Sequence, residues 1–112
     1  MIENGYGIEK DYNKAFEWYE KSATQGNSCS QNNVGVMYEE GKGVTQDYHK
    51  AFEWFEKSAK QGDTDAQYYL GKLYYEGKGV EQDYFKAFEW YEKSAKQGYL
   101  DSQHCLEVLW KN

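Results

Sequence analysis

Two glycine-rich segments of this 112-residue chain resemble a phosphate-binding loop, and both read Gly-Lys-Gly-Val, at 41–44 and 77–80. A phosphate-binding loop presents its backbone N–H groups where a strand leads into a helix. Here each segment follows a helical pattern, and Gln46 and Gln82 stand where a dinucleotide-binding loop has its third glycine. We therefore predict that the segments are turns that follow helices, with no role in binding phosphate.

The histidines, cysteines and carboxylates form no recognisable catalytic or metal-binding pattern. His104 and Cys105 are adjacent, so on a helix they would point about 100° apart, and no second Cys/His pair supplies further ligands. His49 lies near the start of a predicted helix and is interpreted as a solvated residue. Three glutamates recur at one place in a repeated sequence, which predicts a solvated face rather than an acid–base pair: Glu17, Glu53 and Glu89. We predict no enzyme activity, no cofactor and no bound metal.

The charge balance argues against several classes of partner. With 13 basic and 19 acidic residues the formal net charge is -6. An acidic chain of this kind lacks the excess of basic residues that attracts nucleic acid or an anionic membrane. No apolar run approaches the roughly 20 residues that span a bilayer. The first ten residues, MIENGYGIEK, lack the basic and apolar regions of a secretory signal. We therefore expect no nucleic-acid partner and no membrane partner.

The two cysteines, Cys29 and Cys105, lie a little over two sequence repeats apart. If each repeat is a helix pair, equivalent helices of successive repeats are about 10 Å apart, which separates the two thiols by about 20 Å. A disulfide needs Cα atoms about 4.4–6.8 Å apart. We interpret both residues as free thiols, which favours a reducing compartment.

The elements that position these residues come from a sequence that repeats every 36 residues. GKGVTQDYHKAFEWFEKSAKQG at 41–62 and GKGVEQDYFKAFEWYEKSAKQG at 77–98 are nearly identical, and GYGIEKDYNKAFEWYEKSATQG at 5–26 is a weaker copy. A fixed period of this length is the signature of a repeat architecture.

Each copy contains an amphipathic helix, here called helix B. In the copy at 83–97 its apolar residues trace one helical face: Tyr84, Ala87, Phe88, Tyr91 and Ala95. Asp83 is the predicted N-cap, and Gly98 is the predicted left-handed residue after the helix. The equivalent residues of the other copies are Asp11 and Asp47 at the start, and Gly26 and Gly62 at the end.

A second helix, here called helix A, precedes helix B. It is predicted at 29–40, 65–76 and 101–111. Its apolar stripe consists of Ser30, Val34, Met37 and Tyr38 in the first case, Ala66, Leu70, Leu73 and Tyr74 in the second, and Ser102, Leu106, Leu109 and Trp110 in the third. Gly35 and Gly71 mark the place where helix B is expected to approach helix A closely.

The predicted fold class is all-α, because no segment alternates with period 2 and the chain contains no proline. A hairpin of helices A and B cannot bury its apolar surface alone, so hairpins must stack. We predict about six helices in one repeat domain over residues 1–112. Its parts are a partial first repeat with helix B only (1–27), a second repeat (28–63), a third repeat (64–99) and a terminal helix A (100–112).

The two ends of this predicted solenoid differ. In the last helix A, Glu107 replaces the glycine at which helix B approaches, so we expect no helix B there and an end of the solenoid. The first helix B, at about 11–25, has no helix A, which leaves three aromatic residues partly uncovered: Tyr12, Phe16 and Trp18. Truncation of a longer protein would explain this. So would a partner or a second copy of the chain that covers the helix, which makes self-association through this helix possible.

The recurring residues form a long pattern, Ala-Gln-x-x-Leu-Gly-x-x-Tyr-x-x-Gly-x-Gly-Val-x-x-Asp-x-x-Lys-Ala-x-x-Trp-Tyr-x-Lys-Ser-Ala-x-Gln-Gly. This pattern resembles the Sel-one-like repeat, a 36-residue relative of the tetratricopeptide repeat. The copy from Ala66 to Gly98 matches at nearly every position, and the copy before it departs mainly at Ser30 and Val34. The resemblance implies a right-handed α-α superhelix with helices A on its concave side. It also implies work as a scaffold or adaptor that holds other proteins together.

Comparison of the copies inside the chain predicts where a protein or peptide partner binds. Positions that pack in the core keep the same kind of residue from copy to copy. Other positions of helix A change from copy to copy, and these positions share one helical face. The predicted binding groove consists of Asn32, Val36 and Glu39, then Tyr68, Lys72 and Tyr75, then His104, Val108 and Lys111. Tyr68 and Tyr75 are the expected hot spots, because exposed tyrosines make adaptable contacts. The alternative is a solvated face that varies freely.

Two other functions stay open at this point. The family that this chain resembles includes cysteine-rich secreted bacterial proteins, which are linked to β-lactam binding and hydrolysis. Those proteins carry a disulfide in each repeat. This chain has two cysteines and no Ser-x-x-Lys arrangement. The acidic balance also suggests an inhibitor that occupies a basic groove, although the charges are interleaved with lysines: Lys21, Lys57 and Lys93.

Overall fold

The chain forms five successive helices in the part that the computed structural model describes, which is residues 5–99 and Gln103, with side chains from Asp11 onward. The helices are α1 Gly5–Thr24, α2 Ser28–Glu40, α3 Tyr48–Lys60, α4 Thr64–Glu76 and α5 Tyr84–Lys96. Each packs against the next along the chain. α2 and α4 are the predicted helices A, and α1, α3 and α5 are the predicted helices B. The described residues therefore form an all-α solenoid, and none of its helices is long and apolar enough to cross a membrane.

Side-chain caps begin most of these helices, as the sequence predicts for helix B. Asp47 and Asp83 each accept a hydrogen bond at 3.0 Å from the backbone N–H three residues further on. Asn27 and Asp63 cap the two helices A in the same way. The glycines predicted to follow helices B all have a positive φ: Gly26, Gly62 and Gly98.

The first helix begins earlier than the repeat pattern predicts. Asp11 lies inside α1 rather than at its N-cap, because the helix runs without a break from Gly5. In the second copy the segment before helix B is held against helix A, where the Gln46 side chain donates to the Glu39 carbonyl at 2.7 Å. In the first copy Lys10 replaces this glutamine, and the position of Glu39 falls at residue 3. The first copy therefore lacks the glutamine that holds this segment in the second copy, and the segment is helical instead.

A glycine on each described helix A allows the helix B that follows to pack closely. A Cβ atom at Gly35 would lie 2.6 Å from the ring of Phe55, and one at Gly71 would lie 2.9 Å from the ring of Tyr91. Side chains do not tolerate such distances, so only glycine admits the ring at this depth. The predicted close approach at both glycines is confirmed, and with it the register of the two hairpins.

The core is built from the apolar stripes of helices A together with residues of helices B that face them. All eight stripe residues of the two described helices A are buried: Ser30, Val34, Met37, Tyr38, Ala66, Leu70, Leu73 and Tyr74. Edge-to-face aromatic pairs continue this core across the repeat boundaries, with ring centroids 5.4 Å apart in both Phe16–Tyr38 and Phe52–Tyr74.

Recurring glutamines also join one repeat to the next. The Gln31 side chain donates to the Ala23 carbonyl of the preceding helix B at 3.1 Å, and its Oε1 accepts from Gln61 Nε2 at 2.7 Å. Gln67 makes the equivalent bonds, with Gln97 as the donor at 2.8 Å. Each of these glutamines on helix A therefore bridges two helices B, which is the physical reason why glutamine recurs there.

The Gly-Lys-Gly-Val turns pack against helix B of the preceding repeat. A Cβ atom at Gly43 would run into the carbonyl oxygen of Tyr12, and one at Gly79 would run into the carbonyl oxygen of Tyr48. The turn lysines lie over the rings of the same two tyrosines, with Nζ 5.4 and 5.2 Å from the ring centroids. The prediction that these segments are turns following helices is confirmed, and their second glycines serve packing between repeats.

We expect Gly79→Ala to lower the free energy of unfolding by about 3 kcal/mol. A left-handed backbone costs a non-glycine residue about 1–2 kcal/mol, and overpacking against the Tyr48 carbonyl adds about 1–2 kcal/mol. Gly62→Ala is the matched control, because Gly62 also has a positive φ but nothing lies within 4 Å of a Cβ atom there. Urea denaturation of both variants measures the difference. Equal losses would show that the close approach contributes nothing.

Two aromatic side chains at the start of α5 are exposed, Tyr84 by 56% and Phe85 by 87%. Tyr84 belongs to the apolar face predicted for helix B, so its exposure differs from the expectation. The reason is the missing cover, because its equivalents Tyr12 and Tyr48 lie under the turn of the following repeat. No such turn covers Tyr84 in the described part of the chain, and its ring lies instead 5.2 Å from that of Tyr75.

Candidate partner-binding surface

Five predicted binding residues lie on the two described helices A and are here called the A-helix face: Val36, Glu39, Tyr68, Lys72 and Tyr75. The first two are on α2 and the others on α4, and every one of them is half-buried. The charge of Lys72 acts on the pKa of the Glu39 carboxyl, so side chains from the two helices lie near one another. Glu39 and Lys72, which belong to successive repeats, are therefore close enough to interact.

Glu39 places a half-buried carboxylate on the A-helix face. Burial raises the pKa of Glu39 above its ordinary value, and the nearby Lys72 opposes this shift. Glu40 and Glu76 add to the rise, and each of them also pairs with a lysine of the adjacent turn, at 3.3 and 3.6 Å. A carboxylate whose charge is disfavoured by burial gains from an added cation.

The two tyrosines expected to be hot spots are packed side chains. Tyr68 lies with its ring centroid 5.1 Å from that of Tyr99 and 5.9 Å from that of Tyr91. Tyr75 packs against Tyr84 of the next helix. Replacing either tyrosine would disturb the contact between α4 and α5, so stability and binding would change together. Glu39 and Lys72 test the surface more cleanly.

Asn32 is buried rather than displayed on this face, with 8% of the residue exposed. Its Oδ1 atom is buried and has no hydrogen-bond donor within the described residues. The third set of predicted binding residues lies outside the residues that the structure describes: His104, Val108 and Lys111. The assignment of the nine residues to partner binding stays a prediction.

A groove between α1 and α2 was not identified from the sequence. It encloses about 310 Å³. The residues that line it are Tyr12, Ala15, Tyr19, Asn33, Val36, Met37, Glu40 and Lys42. Tyr19 is 39% exposed there, while Phe55 and Tyr91, at the same position of the later copies, are buried. The position of Tyr19 in the repeat could have indicated this groove. The equivalent residues, Phe55 and Tyr91, pack against the glycine of a helix A.

The residues considered above for catalysis or metal binding have other contacts. His49 Nδ1 lies 3.3 Å from the Gly79 carbonyl and Nε2 lies 3.5 Å from Glu53, both at the surface. Cys29 is exposed and carries no disulfide, and Cys105 lies outside the described residues. Among the residues that the structure describes, no three His, Cys, Asp or Glu side chains are grouped so that they could hold a metal ion.

The repeats also match a known family model. The model for the Sel1 repeat matches residues 1–27, 30–63 and 64–99. This chain belongs to the Sel1 repeat family. Sel1 repeat proteins are generally non-catalytic scaffolds whose repeats mediate protein interactions. The resemblance inferred from the recurring residues is confirmed, as is the all-α solenoid.

Solved structures of other Sel1 repeat proteins share the fold. The chain is 45% identical to c5321, a protective antigen present in uropathogenic Escherichia coli strains, with a TM-score of 0.82 over 88% of this chain and 21% of that one. It is 37% identical to a Sel1 repeat protein from Oxalobacter formigenes, with a TM-score of 0.84 over 88% of this chain and 40% of that one. The Sel1 repeat chain therefore spans well under half the length of these two relatives.

A third structure is the cysteine rich protein B of Helicobacter pylori, which is 30% identical with a TM-score of 0.77. That match covers 81% of this chain and 68% of the other. A comparison with curated proteins gave no match.

Proposed function

We propose that this Sel1 repeat chain is a non-catalytic scaffold that binds a protein or peptide segment along its A-helix face. The proposal is supported by a difference in sequence variation between two sets of positions on helix A, the buried stripe and the A-helix face. The buried stripe keeps its character from α2 to α4, whereas Val36 changes to Lys72 and Glu39 to Tyr75. Packing fixes the first set, and the second set is free to suit a partner.

The chemistry of this face favours a partner segment that carries basic side chains. Glu39 is partly desolvated, and two further carboxylates raise its pKa. A cation placed beside these groups relieves their repulsion. The net charge of -6 acts in the same direction, because it raises the rate at which a basic segment meets the protein. Val36, with the apolar parts of Tyr68 and Tyr75, offers contact area around the charged centre.

A selection from a random peptide library, followed by affinity measurements on two variants, tests this proposal. Glu39→Lys should weaken binding of the selected peptides about tenfold or more, because loss of a favourable charge pair costs about 1.4 kcal/mol or more. Glu92→Lys makes the same change of charge on an exposed residue of α5. This control should change the dissociation constant less than about twofold.

Thermal unfolding of both variants shows whether the fold is intact. Equal weakening by Glu39→Lys and Glu92→Lys would mean that only the net charge of the chain attracts the peptides. Unchanged binding by Glu39→Lys would place the binding surface elsewhere and would contradict the proposal.

A further inference from the structure

The boundary between the second and third repeats contains an aromatic pair that the boundary before it lacks. Tyr69 of α4 stacks on Phe55 of α3, with ring centroids 5.0 Å apart and an angle of 19° between the ring planes. The equivalent residues, 36 positions earlier, are Asn33 of α2 and Tyr19 of α1. Asparagine has no ring, so this earlier boundary contains only one member of the pair.

The groove between α1 and α2 lies at the place of the missing ring. Tyr19 and Asn33 both line it, Val36 and Met37 add apolar surface, and it encloses about 310 Å³. Tyr69 is half-buried in its own boundary, so a ring at this place of a repeat boundary lies at the surface. The groove therefore has the position, the access and the lining that suit an aromatic ring.

The difference between the two boundaries lies in α2 and does not depend on any helix that precedes α1. The Phe55 ring has two covers, because Gly35 of its own helix A packs on it and Tyr69 of the next helix A stacks on it. A helix A in front of α1 would give Tyr19 the first kind of cover. The second kind comes from the position that Asn33 occupies, and a short amide does not provide it.

We propose that the partner segment bound along the A-helix face places an aromatic side chain in this groove, where its ring stacks on Tyr19. This inference rests on the proposed function. Sel1 repeats generally mediate protein interactions, and Val36 belongs to the A-helix face and also lines the groove. The groove therefore adjoins the surface on which the segment is bound, and the ring takes the place that the chain's own tyrosine fills in the next boundary.

The charges of the groove favour a neutral ring over a charged group. Glu40 and Lys42 both line the groove, and their side chains pair with one another at 3.3 Å. A charged side chain in the groove would lose water without gaining an unpaired counter-charge there. The unpaired attraction for a cation lies instead at Glu39, one residue away on α2. The segment is therefore one in which an aromatic residue stands close to a basic residue.

The groove can be tested with 4-methylphenol, which is the side chain of tyrosine alone. Titration of the full chain, followed by two-dimensional amide NMR spectra, should shift the signals of Tyr19 and Asn33. Asn33→Tyr gives α2 the ring that α4 carries, which fills the groove, and it should weaken binding of the probe at least about tenfold. Thermal unfolding shows whether this variant is folded.

The opposite substitution moves the same test to the next boundary. Tyr69→Asn removes the ring that stacks on Phe55, and we expect 4-methylphenol to bind at this second place and to shift the Phe55 signal. The wild-type chain is the control, because its own tyrosine occupies the place. A probe that binds the wild type and the Asn33→Tyr variant equally would contradict the proposal, as would a wild-type chain that shows no shift at Tyr19.

Peptides selected from the random library connect the groove to the partner segment. We expect them to contain an aromatic residue whose replacement by alanine weakens binding at least about tenfold on the wild-type chain, and less than about twofold on the Asn33→Tyr variant. If Glu39→Lys weakens the peptides but Asn33→Tyr does not, this inference is wrong and the proposed function stands. If Glu39→Lys has no effect, the proposed function itself is contradicted. A dimer in sedimentation that Asn33→Tyr dissociates would make a second copy of the chain the occupant and would overturn the proposal.

Discussion

Gly71→Leu should lower the free energy of unfolding by about 3 kcal/mol or more, because overpacking of a tight helix contact is costly. A Cβ atom at this position would lie 2.9 Å from Tyr91 Cδ1 and 3.2 Å from the Ala87 carbonyl oxygen. Leucine adds three further carbon atoms beyond that Cβ. The hairpin of α4 and α5 would have to open to admit these atoms, which would separate the buried residues on both helices.

The control for this variant is Lys72→Leu on the next residue of the same helix. It introduces the same side chain on α4 at a half-buried position. We expect it to change the free energy of unfolding by less than about 1 kcal/mol. Urea denaturation measures both variants. If Gly71→Leu were as stable as Lys72→Leu, the register of helix A against helix B would be wrong.

The sequence was sufficient to predict the hairpins and their register. Each element of a solenoid packs against equivalent neighbours, so the same side chain is required at the same position of every copy. Gly35 and Gly71 are predictable for this reason, because both admit an aromatic ring. Gln31 and Gln67 recur because each bridges two helices B, although their hydrogen bonds became visible only in the structure.

Two residues of the helices B differ from the prediction. Asp11 has the sequence context of an N-cap, yet it lies within α1, which begins at Gly5. Tyr84 lies on an apolar stripe, yet it is exposed because no turn of a following repeat covers it in the described residues. A pattern that averages over copies cannot show these effects, since they depend on what is packed on each copy.

The candidate binding surface was less predictable than the core. Variation between copies selected Val36, Glu39, Lys72 and other residues that are half-buried. It did not distinguish them from Asn32, which varies in the same way but is buried. Nor did it show that Tyr68 packs against the tyrosines of neighbouring elements. Variation at a position shows that packing does not require one residue type there. Whether the side chain is exposed depends on its contacts, which sequence variation does not give.

The isolated segment 28–63, which is one complete hairpin of α2 and α3, provides the most direct test of the claim that stacking supplies the stability. Alone it would lose the partners of Tyr38 and Phe52 in the neighbouring repeats, and a chain below about 40 residues rarely buries enough surface to fold. Far-ultraviolet circular dichroism during heating should show no cooperative transition for this segment and a single sharp one for the whole chain. A segment 28–63 that is fully helical and melts cooperatively near the temperature of the whole chain would contradict the account.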